Sequence, residues 1–205
     1  MKRTRFLLVG VGVALTVAAG ATITAFAGTS TETTAGLMIS SGVPVERSSF
    51  SAQDQWLLGN IGETGAITKI GVREGVSFYE GTNEDGGQCF MTGSGRDGGG
   101  LSGGCLKGAA QLEQPLVDMS GVCVDPASGD WRLARIEGIA ADGISAVGVV
   151  DAEDALHTTP VVGNVYRMAS SDIPTGSRCP GFEAQAIVAL DEKGSVVFTK
   201  SLGAS

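Results

Sequence analysis

From residue 67 to the end of the chain, apolar residues fall in short runs cut by turn residues, the pattern of antiparallel β-sheet. Expected strands at 67–72 and 76–80 flank Arg73-Glu74-Gly75, whose glycine stands where a three-residue hairpin loop needs positive φ. Asn83-Glu84-Asp85-Gly86-Gly87 then returns the chain into a strand at 88–91, and a glycine-rich loop leads on to Cys105. Residues 111–114 are expected to form a helical turn that ends before Pro115. Six more strands are expected at 116–124, 132–140, 144–150, 161–168, 184–190 and 196–199, most of them separated by Asp125-Pro126 with Gly129-Asp130, Asp142-Gly143 and Glu192-Lys193-Gly194. Ala184, Ala186, Val188 and Leu190 share one strand face, and Val196 and Phe198 share another, so period-two burial is plainest there. Gly138, Gly148 and Gly163 interrupt strands, which predicts bulges or close approach of a neighbouring sheet. Short strands at this spacing predict a two-sheet sandwich.

Upstream the pattern changes. Ser51-Ala52-Gln53-Asp54 has the form of a helix start with an acid in the first turn, followed by Trp56, Leu57 and Leu58 and stopped by Gly59-Asn60. One short helix is expected, with Trp56 anchoring it to a core. Before it, the Thr-, Ser- and Gly-rich residues 28–42 have little to bury and read as a flexible spacer, extended here to a linker over 28–48. Residues 1–27 carry a basic start (Lys2, Arg3, Arg5), an apolar run and Ala25-Phe26-Ala27, the form of an export signal cut after Ala27. The 22 uncharged residues from 6 to 27 are also close to the ~20 that span a bilayer, so an uncleaved anchor is the alternative. Gly10, Gly12 and Gly20 make a softer helix than a Leu/Ile-rich anchor, which favours cleavage. The expected organisation is therefore a signal at 1–27, a linker at 28–48, a helix and β-hairpin region at 49–113, and a sandwich at 114–205.

Loss of the first 27 residues leaves 11 basic against 22 acidic side chains, a formal charge of −11 in place of −8. Such a field repels phosphate backbones and anionic lipid surfaces, so neither nucleic acid nor a membrane surface is an expected partner. All four cysteines, Cys89, Cys105, Cys123 and Cys179, follow the cut, and an even number in an exported chain predicts two disulfides. Four cysteines admit three pairings. Cys89 with Cys105 and Cys123 with Cys179 is preferred, because the first pair brackets a single glycine-rich excursion. Zinc is disfavoured by the lack of a C-x-x-C and by a single, sequence-remote histidine.

The segment Gly138-Ile139-Ala140-Ala141-Asp142-Gly143-Ile144, with Val149-Val150-Asp151-Ala152-Glu153-Asp154, Thr159-Pro160-Val161, Asn164-Val165-Tyr166 and Ile187-Val188-Ala189-Leu190-Asp191, resembles a group of uncharacterised secreted actinobacterial proteins with immunoglobulin-like β-sandwich ends. The likeness extends upstream through Gly75-Val76-Ser77-Phe78-Tyr79 and Gly87-Gln88-Cys89-Phe90, covering about residues 61–205. It implies an all-β fold in which an immunoglobulin-like antiparallel sandwich follows a smaller, disulfide-containing hairpin region and one short helix. It implies no activity. Asp154 stands where the related turn has glycine, which predicts a looser or longer connection over 151–157.

Gly100-Leu101-Ser102-Gly103-Gly104 matches G-x-S-x-G, and His157 follows several aspartates, the chain order of an α/β-hydrolase. That reading needs Ser102 on a strand-to-helix turn, yet no helix is legible after it, and a glycine-rich turn fits better. Gly93-Ser94-Gly95-Arg96-Asp97-Gly98 fits G-x-G-x-x-G without the βαβ unit a dinucleotide site requires. Asp151, Glu153 and Asp154 lack the ladder of a calcium loop and read as a solvated acidic turn, as do Asn83, Glu84 and Asp85. No catalytic, cofactor-binding or metal-ligating residue is assigned. The expectation is a secreted, non-enzymatic structural or binding module for an extracellular protein or glycan, with Phe78, Tyr79 and Phe90 as candidate contact aromatics. A secreted serine hydrolase using Ser102 and His157, or a membrane-tethered surface domain, are the alternatives.

Overall fold

The computed structural model describes residues 39, 42–60, 62, 65–94, 100–105, 114–124, 129, 131–168, 181 and 183–202. They form an all-β, antiparallel structure with one short helix. The first sheet takes the order β1-β2-β3-β4-β5, with β1 Val43–Val45, β2 Ile67–Arg73, β3 Val76–Thr82, β4 Gln88–Ser94 and β5 Leu101–Cys105. Between β2 and β3 the hairpin is tighter than the expected three-residue loop. Arg73 pairs with Val76, and Glu74 and Gly75 both take positive φ (51° and 78°), the two left-handed positions of a two-residue turn matched to strand twist. The β3–β4 turn is closed by Asn83, whose Oδ1 accepts the Gly87 N–H at 2.6 Å.

Further expectations for this half are corrected. The linker ends sooner than residue 48, because Val43–Val45 pair with Ile67–Lys69 as an edge strand and Arg47–Ser49 form a 3-10 turn. The supposed loop before Cys105 contains strand β5, which lines up Cys89 opposite Cys105. Helix α1, Ala52–Asn60, starts as expected: the Ser51 hydroxyl accepts the Asp54 N–H at 3.2 Å and donates to its carboxylate at 2.8 Å. Its anchor is Leu58, which is fully buried, whereas Trp56 is 69% exposed. A 3.6-residue period cannot turn both positions, two apart, onto one sheet.

The second half is built from β6 Leu116–Asp118, β7 Gly121–Val124, β8 Trp131–Ala140, β9 Ala146–Asp151, β10 Leu156–Pro160, β11 Val165–Met168, β12 Ala184–Leu190 and β13 Val196–Ser201. One sheet runs β11-β8-β6, with β7 also on β8, and the other runs β10-β9-β12-β13. The single strand expected at 116–124 is two. Asp118 Oδ1 accepts the Ser120 N–H at 3.0 Å, bending the chain between them. The 151–157 connection is tight, contrary to expectation: Asp154 takes the left-handed φ of 61°, and Asp151 Oδ1 accepts the N–H groups of Glu153 and Ala155, each at 2.9 Å. A short acid that bonds its own backbone tolerates the conformation glycine would otherwise supply. Strand β10, unread in the sequence, follows directly. The strand expected at 161–168 begins only at Val165, since Gly163 and Asn164 form a turn with φ of 58° and 62°.

Three layers result, with β11-β8-β6 in the middle. Its one face meets β10-β9-β12-β13 through Leu116, Ile136, Tyr166, Met168, Val147, Val149 and Ile187, the largest buried cluster. Ile139 and Val165 on its other face meet Ile70, Phe78 and Phe90 of the first sheet. Helix α1 covers the far side of that sheet with Leu58 against Ile67 and Met91. Two packed sheets with alternating inward side chains are the arrangement a sandwich requires, and here a third sheet is added to it.

Candidate functional site

The middle layer leaves the sandwich with two seams. At one, β10 lies beside β11, and the Thr159 hydroxyl donates to the Arg167 carbonyl at 2.7 Å. At the other, β6 faces β13 across a cavity of about 210 Å³. Phe90 from the first sheet, Leu116 and Val117 from β6, and Ile187 and Phe198 from the far sheet supply its apolar lining. Asp118 and Lys200 supply its charge, paired at 3.0 Å between Nζ and Oδ2. The two are not equally held. Asp118 is fixed by the Ser120 N–H on its other oxygen and its side chain is 15% exposed, whereas that of Lys200 is 43% exposed on a flexible stem.

Beneath the seam, Tyr166 is fully buried and donates its hydroxyl to the Val117 carbonyl at 3.2 Å. Burial pushes its pKa well above 10, and the carboxylates of Asp118 and Glu137 add to the rise. On the opposite face of the same sheet, Glu137 is almost wholly buried between two guanidinium groups. Arg135 Nε lies 2.8 Å from one oxygen and Arg167 Nε 2.9 Å from the other, and Arg167 reaches on to Glu74 at 3.0 Å. This chain of charges ties the β2–β3 turn of the first sheet to the middle layer. Burial also raises the pKa of Glu80 in β3, against a hydrogen bond from Gln88 that lowers it.

Ser102 and His157 occupy different layers. Ser102 is exposed in the interior of strand β5, opposite Thr92, and not on a strand-to-helix turn. His157 sits on β10, an edge strand of the far sheet, with Nε2 2.7 Å from Asp151 Oδ2. Burial alone would raise the Asp151 pKa. The hydrogen bond with His157 and those from the Ala155 and Glu153 N–H groups outweigh it and hold the carboxyl below its ordinary value. Asp151 thereby closes a turn on one oxygen and holds a histidine on the other, so Glu153 and Asp154 join it as turn residues. Among the described residues no group of three or more His, Cys, Asp or Glu side chains is placed to hold a metal ion. Residues 95–98 of the G-x-G-x-x-G match lie outside the described residues.

The Cys89–Cys105 disulfide is present, joining directly opposed positions of β4 and β5. Cys123 is disulfide-bonded as well, and Cys179, its expected partner, lies outside the described residues. Of the candidate contact aromatics, Phe78 is buried between layers, Phe90 is buried beside the cavity it lines, and Tyr79 stacks edge-on against Phe50 at 5.3 Å under helix α1. Asp118 and Lys200 carry no motif, and 82 residues separate them, so only the pairing of sheets brings them together. Among the described residues no helix is long and apolar enough to cross a membrane.

No protein-family model, curated protein or solved structure compared with the chain matches it.

Proposed function

We propose that the chain is an exported, non-enzymatic binding module built on an immunoglobulin-like sandwich. The observation that carries the binding role is the cavity at the β6–β13 seam, an apolar recess from three sheets with one fixed carboxylate at its side. Support for the immunoglobulin-like reading comes from strand order: three strands, β11-β8-β6, face four, β10-β9-β12-β13, with β8 to β9, β10 to β11 and β11 to β12 crossing between sheets. The disulfides and the acidic composition suit an extracellular compartment. Edman sequencing of the protein recovered from culture medium tests export. A chain starting at Gly28 supports it, and a cell-bound chain that keeps Met1 favours the tethered alternative. Binding is tested by probing a glycan array and an array of extracellular proteins with the same material; saturable retention of a partner is expected. Labelling of Ser102 by a fluorophosphonate, lost in His157→Ala, would replace this reading with the hydrolase.

A further inference from the structure

We infer that the β6–β13 cavity takes a small organic cation, an ammonium group carried on a single ring or short alkyl body, with Asp118 as its counter-ion. This deepens the binding-module reading and rests on it. The size fits: about 210 Å³ exceeds the ~150 Å³ of an apolar cavity that accepts benzene. The lining fits too, since Phe90, Leu116, Ile187 and Phe198 offer apolar contact and two aromatic rings that tolerate a nearby cation.

The sign of the ligand follows from which partner of the ion pair can leave. Asp118 is anchored by the Ser120 N–H and cannot turn away without losing that bond. Lys200 is the more exposed partner and ends in a flexible stem, so its ammonium can move into water while a ligand's ammonium replaces it at Oδ2. An anion would instead have to approach a fixed carboxylate to reach Lys200. The net charge of −8 points the same way, drawing cations toward the surface and repelling anions. Lys200 is thus a built-in stand-in for the ligand's charged group.

Isothermal titration calorimetry of the full chain with phenethylamine, 2-phenylethanol and phenylacetate reads this directly. The amine is expected to bind saturably, the alcohol more weakly and the carboxylate at least about tenfold more weakly than the amine, as a fixed countercharge demands. Asp118→Asn should lower amine affinity about tenfold, and Lys200→Ala should raise it a few-fold by removing the internal competitor. Lys200→Ala changes an exposed side chain, so it keeps the test readable if Asp118→Asn does not fold. Phenylacetate binding as tightly as the amine, weaker amine binding in Lys200→Ala, an unchanged affinity in folded Asp118→Asn, or no saturable amine binding would each overturn the inference. A protein that retains an array partner but ignores the amine loses only this inference; one that does neither loses the binding-module reading as well.

Discussion

Tyr166 lies directly across from Gly138 in the β11–β8 pair, and its ring covers the glycine on the way to the Val117 carbonyl of the next strand. The missing side chain on one strand makes room for the large one on its neighbour, an aromatic shielding a glycine that would otherwise weaken the sheet. A methyl group on Gly138 would overlap both the Val117 oxygen and the Tyr166 hydroxyl.

Gly138→Ala is therefore expected to destabilise the fold by about 1–3 kcal/mol, the usual cost of overpacking, measured by urea denaturation. The same contact has an alkaline signature. The folded-state pKa of Tyr166 is raised, so its contribution is complete below about pH 10, where the unfolded tyrosine ionises, and is lost as pH rises beyond it. Tyr166→Phe should flatten that alkaline loss. Equal pH dependence in the two proteins between pH 9 and 11 would contradict the burial of a protonated hydroxyl.

Glu137 and Glu74 both pair with Arg167, but from different depths. Glu137, with 3% of its side chain exposed, sits between two guanidinium groups, whereas Glu74 is 37% exposed. Breaking a buried pair costs about 3–5 kcal/mol, and partial exposure of Arg135 and Arg167 reduces this, so Glu137→Gln should cost about 2–4 kcal/mol. Glu74→Gln should cost no more than about 1 kcal/mol. Chemical denaturation of the two variants side by side checks the ordering, and a larger loss at Glu74 would refute it.

The Asp151 carboxyl is held below its ordinary value of 3.8. A depressed folded-state pKa contributes stability above the unfolded value, which disappears as pH falls through the folded one, so the loss belongs below about pH 4. Asp151→Asn keeps an oxygen for the Ala155 and Glu153 N–H groups but cannot ionise. It should be less stable at pH 7 and should lose less stability than wild type between pH 4 and 2, read by thermal denaturation across that range.

Removal of the Cys89–Cys105 bond, which closes a loop with a sequence separation of 16, should cost about 3 kcal/mol on loop-entropy grounds. The Cys89→Ala/Cys105→Ala double variant tests this without leaving a lone thiol. Intact mass should rise by about 4 Da when the wild-type protein is fully reduced, two hydrogens for each of two bonds. A rise of only about 2 Da would remove the second bond.

Much of the strand pattern was legible because burial on one face leaves a period of two. The run Ala184–Leu190 coincides with β12, and strands β2, β3, β8 and β13 differ from expectation only at their ends. Strands β5 and β10 were not legible. Leu101–Cys105 is mostly glycine and serine and becomes a strand by pairing with β4, while Leu156–Pro160 ends in proline on a sheet edge, where a missing N–H costs no ladder bond. Trp56 misled for a related reason: hydrophobicity identified a residue worth burying, but the helix had one face against the sheet, and Leu58 took it.

The sequence alone determined the antiparallel β class and the short capped helix, because each rests on local periodicity or turn chemistry; it favoured Cys89–Cys105 among three pairings, and the pairing of β4 with β5 selected it. The tertiary structure alone decided that three sheets stack, that Glu137 is enclosed by arginines, and that Asp118 meets Lys200 beside a cavity. Glu137 meets Arg167 across 30 residues of sequence, and Asp118 meets Lys200 across 82. Strand order and sheet packing bring them together, and no local pattern records either.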